Sequence, residues 1–359
     1  MTAAVAAAAI ARGVRDAGRR AVTVPVADGG DGTLPVVLAA AGGAGRVTTH
    51  RVTGPAGRPV TAHLGWLNPT FAVVEMAEAA GLRRVPAGRL DAMTATSRGA
   101  GELLSSALQA GATRVLVGVG GSASTDGGAG LLQALGARLT DAAGGEIGPG
   151  GAGLEALRHI DVGRVLAALE GCRIEVALDV RNPLLGPSGA AAVFGPQKGA
   201  AADQVRQLDQ ALAAFAAVVA ADTGRRDLAE LPGSGAAGGC GFALALLGAE
   251  LVPGAALVCD IVGLDRALES AAAVITGEGR LDAQTAAGKA PAEVAARAHR
   301  HGLPCAAVAG QVDGAPPGLF DLTVSLEDAG AGLDPRRHAR SLLRHAARTA
   351  ATALLDGAQ

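Results

Sequence analysis

Five glycine-rich segments of this chain carry acids, hydroxyls or lysines at spacings that suit phosphate, a metal ion or a small organic acid. In doubly wound sheets such ligands bind beyond the carboxyl ends of strands, where glycine turns meet helix N-termini. The first segment, Ala27-Asp28-Gly29-Gly30-Asp31-Gly32-Thr33, holds two carboxylates three residues apart. They suit Mg²⁺, which takes one or two carboxylates plus phosphate oxygens; the competing reading is a tight turn with Asp31 capping the next helix. The second runs from Gly118 to Gly128 and joins Gly120 and Gly121 to Ser122, Ser124, Thr125 and Asp126. Freed backbone N–H groups and three hydroxyls at a helix start make an anion cradle. It is neither a Walker A loop nor a GxGxxG fingerprint.

The third segment places Asp179 at a strand end, then Asn182-Pro183, then Phe194-Gly195-Pro196-Gln197-Lys198-Gly199. An acid there is a catalytic or metal-binding candidate, against an Asn-Pro turn and a solvated lysine. The fourth, Pro232-Gly233-Ser234-Gly235-Ala236-Ala237-Gly238-Gly239, either wraps a nucleotide or lets helices pack closely. The fifth, Gly277-Glu278-Gly279-Arg280-Leu281-Asp282-Ala283-Gln284-Thr285 and on to Lys289, is the strongest. A lysine point charge for phosphate, an arginine fork for carboxylate and an acid as base or metal ligand are what phosphoryl transfer needs. The competing reading, a surface ion-pair cluster, leaves its glycines unexplained.

Composition sharpens two of these choices. Of 31 basic residues only Lys198 and Lys289 are lysines, and Asn68 and Asn182 are the only asparagines. A lysine kept in an arginine-biased chain sits where a planar fork cannot replace a compact ammonium. The seven histidines show no spacing for a metal or a triad, and Gly233-Ser234-Gly235 is too degenerate for a nucleophile elbow.

These segments need elements to hold them. A helix is expected over 2–17, capped by Thr2, then a buried strand over 21–26 and a helix over 33–41. An antiparallel meander follows around the turn at 54–59. Strands and helices then alternate: 114–120, 128–135, 173–180, a long helix over 202–222, and from 272 strand–helix–strand–strand–helix to 354. Short apolar strands between helices argue a parallel sheet covered on both faces. The expected fold class is α/β in two domains. A Rossmann- or flavodoxin-like parallel-sheet domain is built from both termini (1–60 and 266–359), and a mixed α/β domain (61–265) is inserted, with the active site in the cleft between them.

The 359 residues suit about two domains. A net charge of −2 with 18% charged residues excludes a broad nucleic-acid surface. No apolar run approaches the ~20 residues of a membrane span, and an apolar-then-basic start is the reverse of a signal peptide. Four scattered cysteines argue against a zinc site or a disulfide framework, so the expected compartment is the cytoplasm. A homo-oligomer is compatible with the sequence.

Together, VADGGDGT, GVGGSASTDGGAGLLQALGA, DVRNPLLGPSGAAAVFGPQKGA, PGSGAAGGCGFAL and GEGRLDAQTAAGK resemble the bacterial glycerate kinase family that includes the glycerate 2-kinases. The motifs stand in the family's order at similar spacing over nearly the whole chain. The resemblance implies ATP-dependent, Mg²⁺-requiring phosphorylation of D-glycerate, leaning to 2-phosphoglycerate, by two α/β domains. Under it, Lys289 and Lys198 are expected on phosphate, and Gly120, Gly121 and Gly235 on the nucleotide. Glu278, Asp282 and Asp179 are candidates for Mg²⁺ or for accepting the hydroxyl proton. Arg280, Asn182, Gln284 and Ser122 are expected on substrate, and Asp28, Asp31 and Asp126 on Mg²⁺. One departure stands out: family members open with a strand and an Asp-Ser-Phe-Lys-Gly loop before the helix found here at 2–17. A coding start further upstream is therefore expected. The alternatives are a catalytically impaired ligand-binding remnant and a kinase of another small hydroxy acid.

Overall fold

The computed structural model describes residues 1–282, 285, 288–314, 318–329 and 334–356. They form two compact units, Met1–Asp28 with Ala255–Gln359, and Gly29–Gly254. The divide falls at 28/29 rather than near 60 for a local reason. Strand β1 (Arg46–Thr53) pairs along its whole length with β2 (Pro59–Asn68), from Arg46 opposite Trp66 to Thr53 opposite Pro59. It therefore belongs to the sheet of the second unit.

That sheet continues through β3 (Phe71–Glu75) and β4 (Arg114–Gly118). A two-stranded antiparallel pair, β5 (Arg138–Thr140) and β6 (His159–Asp161), lies outside it. With β7 (Arg173–Leu178) and β8 (Glu250–Pro253) the main sheet has the order β1-β2-β3-β4-β7-β8. The expected meander forms β1 to β3, antiparallel, and the remaining neighbours are parallel. The pattern follows sequence: β3 is buried at every residue and β4 and β7 at all but the first, whereas β1 is largely exposed. Strands covered on both faces read as continuous apolar runs. Leu64, Trp66, Met76, Leu103, Leu132, Phe215 and Phe242 fill the core, the last two phenylalanines edge to face with centroids 5.4 Å apart.

In the first unit β9 (Val274–Leu281), β10 (Cys305–Val312) and β11 (Leu322–Ser325) form an all-parallel sheet in the order β11-β10-β9. Side chains alternate across it. Val308 packs with Ala9, Leu342, Leu343 and Ala346 of the helices Ala3–Asp16 and Pro335–Asp356. Cys305 packs instead with Ala295 and Ala298 of the helix Ala290–Arg300. Thr2 caps the first helix through the Val5 N–H, as expected. Residues 21–26 do not form the expected strand. Pro25 brings no N–H donor, and Val24 and Val26 bury their side chains against Cys259, Leu264 and Val294 without joining a ladder. No helix among the described residues is long and apolar enough to cross a membrane.

One buried cation holds the helices of this unit. Arg297, 5% exposed, donates to Glu293, Asp260, Asp265 and the Ala256 carbonyl at 2.5–2.9 Å. It thereby ties Ala290–Arg300 to the helices Gly254–Ile261 and Leu264–Leu268. Three carboxylates lose one partner in Arg297→Ala, but Asp265 keeps His301, Glu293 keeps Arg300, and Asp260 and Asp265 are largely exposed. The expected loss is therefore about 1–3 kcal/mol rather than the full cost of an orphaned buried charge, read as a lower urea midpoint at unchanged slope.

Candidate functional site

Within the second unit, the loop that follows β4 meets the Gly29–Gly30 turn backbone to backbone. The Gly120 N–H donates to the Gly29 carbonyl at 3.3 Å, and a Cβ on Gly120 would lie 2.4 Å from the Gly30 Cα. On the other side the segment Gly233–Gly239 presses on Ser124 and Thr125. The Gly127 N–H donates to Gly238 O at 2.9 Å, and a Cβ on Gly238 (φ +68°) would stand 2.0 Å from Ser124 O. Ala237 in the same segment has φ +53°, the one non-glycine residue in that region among the described residues. Such backbone is held only where its surroundings over-determine it. A third wall comes from residues 80–84: Gly121 O accepts the Leu82 N–H at 2.8 Å, and Ala80 O accepts the Ala123 N–H at 2.8 Å.

The acid of this loop has an internal task. Asp126 is fully buried and accepts from Ser97 N and Oγ, both at 2.8 Å, from Gly128 N at 3.1 Å and from Gly130 N at 3.3 Å. It caps the helix Ala129–Leu135 and ties it to Ser97, so the expected Mg²⁺ role gives way to a structural one. Ser122 is likewise engaged: its Oγ lies 3.1 Å from Ser124 Oγ and accepts the Ser124 N–H at 3.2 Å. Thr125 differs. Its buried Oγ1 is the one such side-chain atom among the described residues with no hydrogen-bond partner, a hydroxyl able to donate to or accept from a ligand oxygen.

Lys198, expected to reach phosphate, points inward. It is 2% exposed, and its Nζ donates to Ser124 O at 2.5 Å. Burial pushes its pKa down to about 8, against the pull of Cys240 and Asp126. Asn182 and Gly235 meet through the chain, Gly235 N to Asn182 O at 3.0 Å, while the Asn182 amide donates to Ser188 O at 2.7 Å. Asp179 stands half-buried just past β7. Asp31 forms an ion pair with Arg83. The buried Glu75, at the end of β3, does the capping expected of Asp31, accepting from Gly32 N and Leu34 N at 2.9 Å. Burial raises the Glu75 carboxyl above its ordinary range despite those two donors.

The first unit carries the charged cluster at the carboxyl end of β9. Lys289 Nζ lies 3.7 Å from Glu278 Oε2 and 3.9 Å from Asp282 Oδ1, ionic contact without a hydrogen bond. Thr285, fully buried, donates to Glu278 Oε1 at 2.5 Å and accepts the Asp282 N–H at 3.1 Å. Burial raises the Glu278 carboxyl, Thr285 and Lys289 oppose the rise, and the charges of Asp282 and Asp28 add to it. Arg280 leaves this group to pair with Asp313 at 2.7 Å, on an exposed edge. Gln284 lies outside the described residues.

Hard oxygen donors in one place suit Mg²⁺, yet no group of three His, Cys, Asp or Glu residues among the described residues could hold a metal by itself. Magnesium takes one or two carboxylates with phosphate oxygens, and Asp282 and Asp28 are acids whose charges bear on Glu278. The expected trio of Asp28, Asp31 and Asp126 does not form a metal-holding group by itself. Sequence reasoning missed Ser97, Glu75, Arg83 and Thr285. Only Thr285 lay inside a singled-out segment; the others act on loops far away in the chain.

Comparison with known proteins agrees with this arrangement of motifs. The model of the glycerate kinase family matches residues 1–353. A glycerate kinase of Bacillus subtilis (strain 168) is 46% identical over 291 residues, 80% of this chain and 75% of that protein. A glycerate 2-kinase of Escherichia coli (strain K12) is 47% identical over 293 residues, 81% of this chain and 76% of that protein. A crystal structure from Salmonella typhimurium LT2, provisionally named glycerate kinase 2, superposes with a TM-score of 0.83 at 41% identity, covering 100% of this chain and 96% of that one. A match of this extent in sequence and fold has one reading: the chain belongs to the glycerate kinase family.

Proposed function

We propose that this enzyme transfers the γ-phosphoryl group of ATP to the 2-hydroxyl of D-glycerate. The observation that supports the reading most is the Lys289–Glu278–Asp282–Thr285 cluster, within a chain whose family phosphorylates glycerate. Phosphoryl transfer asks mainly for positioning and for neutralisation of charge on the transferring group. Lys289 supplies the charge: at 3.7 and 3.9 Å from its carboxylates, its three donors remain available to phosphate oxygens. Glu278 is the group we assign to accept the hydroxyl proton. Burial makes it more basic than an ordinary carboxylate, and Thr285 holds one oxygen so that the other carries the function. Asp282 and Asp28 would hold Mg²⁺, which when bound supplies further positive charge at the phosphates.

In the second unit the Gly118–Gly128 loop offers the Thr125 hydroxyl to an anionic group of the substrates. Asp179, at the end of β7, is the acid of this unit placed where ligands bind to such sheets. Arg280 remains the fork we assign to the glycerate carboxylate, a role in which it exchanges Asp313 for substrate.

Two outcomes follow. Lys289→Ala is expected to lower turnover in a coupled ATP and D-glycerate assay by about 10²–10³, with little change in melting temperature because the side chain is part-exposed and makes no hydrogen bond. Lys289→Arg is expected to be damaging as well, since a planar fork does not replace a compact ammonium; near-wild-type rates in that variant would show the lysine to be incidental. Product analysis by NMR tests the regiochemistry. A phosphorus-coupled C2 proton is expected, and phosphate on C3 would overturn the assignment.

A further inference from the structure

Buried lysines are costly, and this protein keeps one beneath its glycine loop. Lys198 sits on the single turn Pro196–Lys198 that follows the helix Ala190–Phe194, and it is 98% buried. Its hydrogen-bonding partner is the Ser124 carbonyl, at 2.5 Å, and the charged or titratable groups that face it are Asp126 and Cys240. Desolvation penalises the cation enough to lower its pKa to about 8. Stability therefore does not explain why an ammonium stands there in a chain that otherwise uses arginine. A residue retained against its own stability cost points to function.

What the ammonium touches says which function. Ser124 O lies where two loops converge: Gly238 approaches it so closely that no Cβ fits, and Gly127 N–H bonds to Gly238 O. The next residue is Thr125, with its unpartnered hydroxyl, and the one after is Asp126, the cap of the following helix. We propose that Lys198 is a positioning residue: by holding the Ser124 carbonyl it fixes the Ser122–Asp126 turn from behind, and it makes no contact with phosphate. The proposal rests on the reading of this loop as substrate-binding. Arginine does not substitute, because its wider planar head group overpacks a position where the side chain is almost fully buried.

The test compares wild type with Lys198→Met, a neutral side chain of similar length. Turnover is expected to fall roughly tenfold to a hundredfold from misplacement of the loop, with the KM for ATP little changed and the melting temperature at pH 7 equal or higher. Hydrogen exchange is expected to quicken at the amides of 122–128 and to stay unchanged in β4. A raised KM for ATP at constant kcat would overturn the proposal in favour of direct phosphate contact; unchanged exchange in 122–128 would overturn it outright. The exchange arm stands by itself if wild type fails to phosphorylate D-glycerate, so that failure of the substrate assignment and failure of this proposal are told apart. Should Lys198→Met not fold, Lys198→Leu, which likewise lacks a donor, is measured in its place against the same outcomes.

Discussion

Backbone-to-backbone contact at the carboxyl ends of parallel strands is the constraint on which the second unit turns. At Gly120 and Gly238 the neighbouring main chain stands where a Cβ would be, at 2.4 and 2.0 Å. A side chain is thereby excluded at both positions, and the Gly118–Gly128 loop is held against the Gly29–Gly30 turn and the Gly233–Gly239 segment. Loops so short of side chains have little apolar surface to hold them. Their order comes from polar anchors beneath: Asp126 on Ser97 and on the following helix, Lys198 on Ser124, and Glu75 on the turn at Gly32. All three anchors are buried, and buried polar groups of this kind rigidify only when their bonds are made.

The first unit solves the same problem with side chains. Arg297 locks the helix that begins just after Lys289, and Thr285 bridges Glu278 to the Asp282 backbone. The cluster is thus set from two directions, by a helix whose position is fixed by a buried cation and by a hydroxyl that leaves one carboxylate oxygen for chemistry. One ammonium stands in ionic contact with two carboxylates, and its charge opposes the rise that burial gives Glu278.

Much of this was legible in the sequence because the signals are local. Apolar runs gave β4, β7, β9 and β10, the GPAGRP turn gave the hairpin, and the five glycine motifs marked the loops. Misreadings arose where a distant residue decides the outcome. Asp126 looks like a Mg²⁺ ligand and Lys198 like a phosphate contact until Ser97 and Ser124 are brought against them. Glu75 takes the capping role of Asp31 from more than forty positions away. Residues 21–26 have the composition of a strand, but strand formation depends on a ladder partner and on Pro25, neither of which composition reveals. The divide near 60 was misplaced for a related reason: β1 and β2 alternate as any hairpin does, and only pairing through β3 assigns them to the second unit.

The central claim, that close main-chain approach orders the loop that serves the substrates, is tested most directly at Gly238. Its φ of +68° and its contact with Ser124 O leave no room for a methyl group. The measurement is ATP turnover with D-glycerate per folded molecule of Gly238→Ala, with far-UV circular dichroism as the check on fold. The account predicts a native spectrum with turnover reduced by about 10². Native spectrum together with wild-type turnover would contradict it.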